Sequence, residues 1–137
     1  MSRIMGIDYG LKRIGVALTD MLQITANPFD VIESVSLKKD AQKIYEIAQN
    51  NQVETIVVGI PLNDVHTEMA ETVNSFISKL KELGNMKIET VDESFTTNEA
   101  MDLLVGKADA SRKKQKGVKD KLAAAIILQR YLEKYQI

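Results

Sequence analysis

A chain of 137 residues is long enough to bury one core and too short for two full α/β domains, so a single domain over 1–137 is expected. Hydrophobic residues at 45% with 27% charged exclude a disordered chain, and the absence of cysteine excludes disulfides and thiolate zinc sites. The net charge of −1 conceals an asymmetry: residues 107–121 carry seven bases against two acids, a local balance of +5, and the remainder sums to −6.

The run Arg3 to Tyr9, the turn Gly10-Leu11-Lys12 and the run Arg13 to Asp20 read as two apolar strands of a hairpin. Gln23 to Glu33, interrupted by Pro28, predicts a third strand at a sheet edge, where the missing donor of proline does least harm. Lys38 to Gln49 changes period, with Ala41, Ile44, Tyr45 and Ala48 on one helical face. Thr55 to Ile60 is a continuous β-branched run typical of a strand buried on both sides, ended by Pro61.

A second helix is predicted from Glu68, with Thr67 as its cap and Ala70, Val73, Phe76, Ile77 and Leu80 as its apolar stripe, ending at Gly84. Lys87 to Val91 is a further strand, and Thr96 with Glu99 forms a capping box for a short helix reaching Leu104. The basic stretch follows as a segment of its own, and a last helix runs from Lys119 to Tyr135. This order predicts an α/β fold: a mixed five-stranded sheet, with an antiparallel hairpin region and parallel crossovers, flanked by helices. The segment Met1 to Gly6 enters a strand without a charged leader, and no window has the length of a membrane-spanning helix, so a cytoplasmic protein without a membrane partner is expected.

With no cysteine and a single histidine, any metal must be held by oxygen. His66 reads as an exposed loop residue. Asp8 ends the first strand, Asp92 and Glu93 end the strand after the second helix, and Asp120 is expected to open the last helix. Parallel strands bring their carboxyl ends to one edge, where open α/β sheets bind ligands. Strand alternation allows only one of Asp92 and Glu93 to face that site. Carboxylates converging there repel one another unless a cation sits among them, and Mg²⁺ or Mn²⁺ suits all-oxygen ligands.

Four blocks in order, Ile4 to Ala17 with Asp8-Tyr9-Gly10, Val57 to Asn63, Val91 to Thr97 and Lys119 to Ala124 continuing through Gln129, resemble the YqgF/RuvX family of the RNase H-like superfamily. The resemblance spans almost the whole chain. It implies an RNase H-like fold and a metal-dependent nuclease for the 5′ end of pre-16S rRNA in ribosome biogenesis, a family of which some members are called Holliday junction resolvases. Its acidic set falls on Asp8, Glu93 and Asp120, as catalytic and metal-binding residues. One departure stands out: the family usually has arginine after the Asp-Glu pair, and this chain has Ser94.

The expected chemistry is two-metal phosphodiester hydrolysis with ions about 3.5 to 4 Å apart, Asp8 between them and Glu93 and Asp120 completing one shell each. Lys12, Arg13, Arg112, Lys113, Lys114 and Lys116 are the expected contacts to nucleic acid, structured RNA first and branched DNA second. Two rivals are a junction-resolving DNA nuclease and a non-catalytic RNA-binding or transcription-associated factor. A nucleotide-binding protein of the actin and sugar-kinase kind would need a second domain. Monomer and dimer are both open at this level.

Overall fold

The computed structural model describes residues 2–60, 68–92 and 112–135, with side chains of the last stretch described over 119–134. Strands β1 (Arg3–Tyr9) and β2 (Arg13–Thr19) are buried along nearly their whole length, as their unbroken apolar runs demand, and pair antiparallel from Met5 opposite Leu18 to Tyr9 opposite Ile14. Strand β3 (Ala26–Glu33) adds antiparallel to β2 as a sheet edge. Pro28 sits beside the irregularity between Val16 and Ala17, the position on an edge strand where proline is tolerated. The strand starts three residues later than Gln23 because Asp20 holds a turn there: its Oδ1 accepts from the backbone N–H of Ile24 at 2.7 Å and of Thr25 at 3.0 Å, with Gln23 at φ 59°.

Helix α1 (Leu37–Asn50) is capped by Ser36, whose Oγ accepts from the Lys39 N–H at 3.2 Å. It buries Ala41, Ile44 and Ala48, with Tyr45 partly covered. Strand β4 (Val53–Ile60) returns parallel to β1, and β5 (Lys87–Asp92) lies parallel to β4 after α2 (Glu68–Leu83). The buried face of α2 is Ala70, Val73, Phe76, Ile77 and Leu80, the predicted stripe. The sheet order is β3-β2-β1-β4-β5.

Helix α3 (Arg112–Tyr135) begins seven residues before the predicted start at Lys119. The basic segment from Arg112 is therefore helical, and Asp120 stands inside the helix rather than at its opening. Arg112, Lys113, Lys114, Gln115 and Lys116 lack an apolar stripe, which is why they read as a loop, yet each is a good helix former and the one glycine, Gly117, costs only about 1 kcal/mol. The predicted short helix from Thr96 to Leu104, the Thr67 cap, Pro61 and His66 lie outside the described residues.

The sheet separates two apolar layers. On one face Met5, Ile7, Ile14, Val16, Ile56 and Val58 pack against α1 and α2, and on the other Ile4, Ala17 and Val57 pack against Ala124, Ile127, Leu128 and Leu132 of α3. Among the described residues no helix is long and apolar enough to cross a membrane.

Candidate active site

Asp8 is the penultimate residue of β1 and half-buried. Its cross-strand partner is Gly15, and directly opposed residues of an antiparallel pair project to one face. Gly6, two residues earlier on β1, shares that face. Both glycines lie beneath α3. A β-carbon on Gly6 would come within 2.7 Å of the Ala124 carbonyl oxygen and 2.8 Å of Leu128 Cβ, and a β-carbon on Gly15 would overlap the carbonyl of Asp120. Glycine at these two positions lets the helix backbone rest directly on the sheet.

The direction of α3 follows. Asp120 lies at the level of the Asp8–Gly15 pair and Ala124 at the level of Gly6, one helical turn further on, so the helix runs antiparallel to β1. Its opening turns, which carry Arg112, Lys113, Lys114 and Lys116, extend past the edge where β1 ends. At 1.5 Å per residue, Arg112 stands about 12 Å beyond Asp120 along the axis.

The Asp120 carboxylate has a cationic partner. Arg13, first residue of β2 and two before Gly15, donates from Nε to Asp120 Oδ2 at 2.6 Å. One strand therefore supplies both the seat for the Asp120 backbone and the charge that faces its side chain. Lys12 is exposed at the hairpin tip, and its backbone carbonyl accepts from Ser34 N at 2.9 Å.

On the opposite face, Tyr9 anchors the end of β1. Its hydroxyl donates to Asp40 Oδ2 at 3.2 Å, the Ser34 hydroxyl donates to the same oxygen at 2.6 Å, and the Val35 N–H donates to Oδ1 at 2.8 Å. The Tyr9 ring lies 4.5 Å from that of Phe76. Burial, reinforced by the nearby Asp40 charge, raises the Tyr9 hydroxyl above its usual pKa. This network holds the backbone next to Asp8, and the sequence reading missed it. It also missed Gly6 and Gly15, although an isolated glycine inside a buried strand is a signal of close backbone approach.

Of the acidic pair at the end of β5, Asp92 pairs with Ile60, a member of the layer under α1 and α2, whereas Val91 packs with the α3 layer. Asp92 thus falls on the face away from Asp8 by strand alternation. Its carbonyl accepts from Arg130 Nη1 at 3.2 Å, which ties β5 to the second half of α3. Glu93 and Ser94 lie outside the described residues, as do the side chains of Arg112, Lys113, Lys114 and Lys116.

The donor chemistry fits a hard cation. Asp8 and Asp120 come from strand and helix to one face of the sheet, and the Asp120 carboxylate already faces a positive charge, the Arg13 guanidinium. Oxygen donors of this kind suit Mg²⁺ or Mn²⁺. Among the described residues no three acidic or histidine side chains gather to hold a metal, and Glu93, third of the expected set, is not one of those residues.

The sequence model of the RuvX family, described as Holliday junction resolvase, matches residues 2–134. The chain belongs to the RuvX family. A protein of Endomicrobium trichonymphae named "Putative pre-16S rRNA nuclease" is 59% identical over 135 residues, covering 97% of this chain and 96% of that one. A protein of the same name from Natranaerobius thermophilus is 44% identical over 134 residues, covering 96% and 94%. Among solved structures, Thermus thermophilus RuvC bound to a Holliday junction substrate superposes with a TM-score of 0.57 at 16% identity, over 99% of this chain and 97% of that one. The fowlpox virus resolvase in complex with junction DNA gives 0.59 at 13% identity, over 98% and 99%. The fold is the RNase H-like one that the opening motifs implied, and family and fold together make this RuvX chain a phosphodiester-hydrolysing nuclease.

Proposed function

We propose that this RuvX protein is a cytoplasmic, metal-dependent endonuclease that trims the 5′ end of pre-16S rRNA. The observation that carries the reading is the convergence of Asp8 and Asp120 on one sheet face through Gly15, in a chain 59% identical to a relative named for that substrate. Asp8, Asp120 and Glu93 would hold the ions. Glu93 directly follows the last residue of β5 in the sequence and is the third acid of the set that the family resemblance implies.

Bound Mg²⁺ or Mn²⁺ would supply a nucleophile at neutral pH and stabilise charge on the phosphate in the transition state. The chain supplies the positions. Asp8 is fixed by a strand whose next residue, Tyr9, is anchored to Asp40. Asp120 is fixed by its backbone resting on Gly15. Arg112, Lys113, Lys114 and Lys116, on helical turns that project past the site, would hold the sugar–phosphate backbone, with Lys12 and Arg13 nearer the scissile bond. Ser94 removes a basic group at a position where the family carries arginine, so the load on Arg13 and the basic turns is larger.

A second reading is favoured by the description of the family itself, junction resolution on branched DNA. Phosphate contacts and metals act on a backbone common to both polymers, so substrate choice is settled by competition. The test is incubation of the purified protein with precursor 16S rRNA, linear DNA and a four-way junction, each with Mn²⁺, Mg²⁺ or a chelator. Metal-dependent cleavage of the RNA near its mature 5′ end is the expected result. Cleavage of the junction alone would move the assignment to DNA, and binding without cleavage of any substrate would leave a non-catalytic factor.

A further inference from the structure

We propose that Arg13 is a tethered cation that occupies Asp120 in the metal-free protein and is displaced from it by a divalent ion. The inference rests on the metal-site reading above and adds a device that controls access to it.

The observations are local. Arg13 Nε lies 2.6 Å from Asp120 Oδ2, across 107 residues of sequence. The pair joins a strand start to a helix, and both backbones are already fixed nearby, because the Asp120 carbonyl rests on Gly15, two residues after Arg13. The contact is thus set by the fold and not by a chance meeting of two surface side chains. The pair remains partly open to water, with side-chain exposures of 37% for Arg13 and 25% for Asp120. Such a pair is weak enough to exchange, since solvent-screened ion pairs carry only small net energies.

The same carboxylate cannot serve both cations equally. A guanidinium at bonding distance from Oδ2 neutralises the charge that a divalent ion would use and repels that ion electrostatically. It also gives the Asp120 carboxylate a counter-charge within the protein itself. Once displaced, Arg13 keeps its donors beside the site, and phosphate is the anion its planar fork best accommodates. This reconciles the ion pair with the role of Arg13 as a phosphate contact: it would be held by Asp120 before the metal arrives and turned to the substrate afterwards.

The experiment is calorimetric titration of Mn²⁺ alone into the full chain, for wild type, Arg13→Gln, Arg13→Lys and Asp120→Asn, with far-UV circular dichroism to show that each is folded. Arg13→Gln is expected to bind Mn²⁺ about two- to fivefold more tightly than wild type, the range that partly exposed ion pairs carry. Arg13→Lys keeps the charge and should stay within about twofold of wild type. Binding in Arg13→Gln but none in wild type would mean that the ion does not displace the arginine, and would overturn the proposal. Unchanged or weaker binding by Arg13→Gln, or Arg13→Lys as tight as Arg13→Gln, would overturn it while leaving the metal site intact. Binding that is indifferent to Asp120→Asn would remove Asp120 from the site and the proposal with it, and binding absent from every protein would remove the metal site as well.

Discussion

The carbonyl of Asp120 occupies the space that a side chain at Gly15 would need, so the last helix reaches the sheet only because position 15 has no β-carbon. Gly15→Ala must therefore lift α3 or bend β2. The expected loss is about 1 to 3 kcal/mol of stability, as for other overpacking substitutions, measured by urea unfolding. Cleavage should fall further than stability alone explains, because the lift moves Asp120 away from Asp8. A Gly15→Ala protein with wild-type unfolding and activity would show that the helix does not rest there.

Asp40 accepts three hydrogen bonds, from the Tyr9 and Ser34 hydroxyls and the Val35 N–H, and is almost fully buried. Replacing it with alanine strands these donors, at a cost of about 1 to 3 kcal/mol in unfolding free energy. Asp40→Asn, which keeps an acceptor, should cost less.

Tyr9 gives the fold an alkaline limit. Its pKa is raised above the ordinary 10.0 by burial first and by Asp40 second, so the unfolded chain loses this proton before the native state does. The contribution is intact below pH 10 and is lost as the pH climbs from there towards the native pKa. Unfolding titrations of wild type and Tyr9→Phe across this range should converge as pH rises, and parallel curves would contradict the account.

Most of the fold was legible because period and punctuation agree with tertiary burial. The apolar runs of β1 and β2 are buried on both faces, and Pro28 marks the edge strand. The predicted stripe of α2 is the buried one. The start of α3 was not legible, because its first turns are mostly basic and give no amphipathic signal, although most of their residues favour helix. Asp8 and Asp120 could be singled out from strand ends and from family motifs, and both are found on one side of the sheet. Their relation through Gly15, the Arg13 ion pair and the Tyr9–Asp40 anchor could not, since each joins positions far apart in sequence and depends on how closely two backbones approach.

Divalent metal should raise the melting temperature. An ion that binds the native site and not the unfolded chain stabilises it by mass action, about 2.7 kcal/mol at a hundredfold excess over Kd. The check is a thermal scan with and without millimolar Mn²⁺ in wild type and Asp8→Asn. A shift in wild type that is lost in the variant is expected, and equal melting in all four conditions would count against a formed site.

The basic turns of α3 should govern how salt weakens binding. If Lys113, Lys114 and Lys116 each neutralise a phosphate, replacing all three with glutamine should flatten the plot of log affinity against log salt by roughly 2 to 3, at about 0.7 to 0.9 per contact. Turnover at saturating substrate should change less. A slope unaltered by the triple substitution would mean that these lysines do not touch the polyanion.

The most direct test of the central claim is cleavage of precursor 16S rRNA by wild type, Asp8→Asn and Asp120→Asn in Mn²⁺ and in chelator, with unfolding curves taken on the same preparations. Each substitution keeps the shape of the side chain and removes its charge. The account predicts cleavage by wild type in Mn²⁺ only, and near-complete loss in both variants with the fold retained. Full Mn²⁺-dependent cleavage by a well-folded Asp8→Asn protein would contradict it.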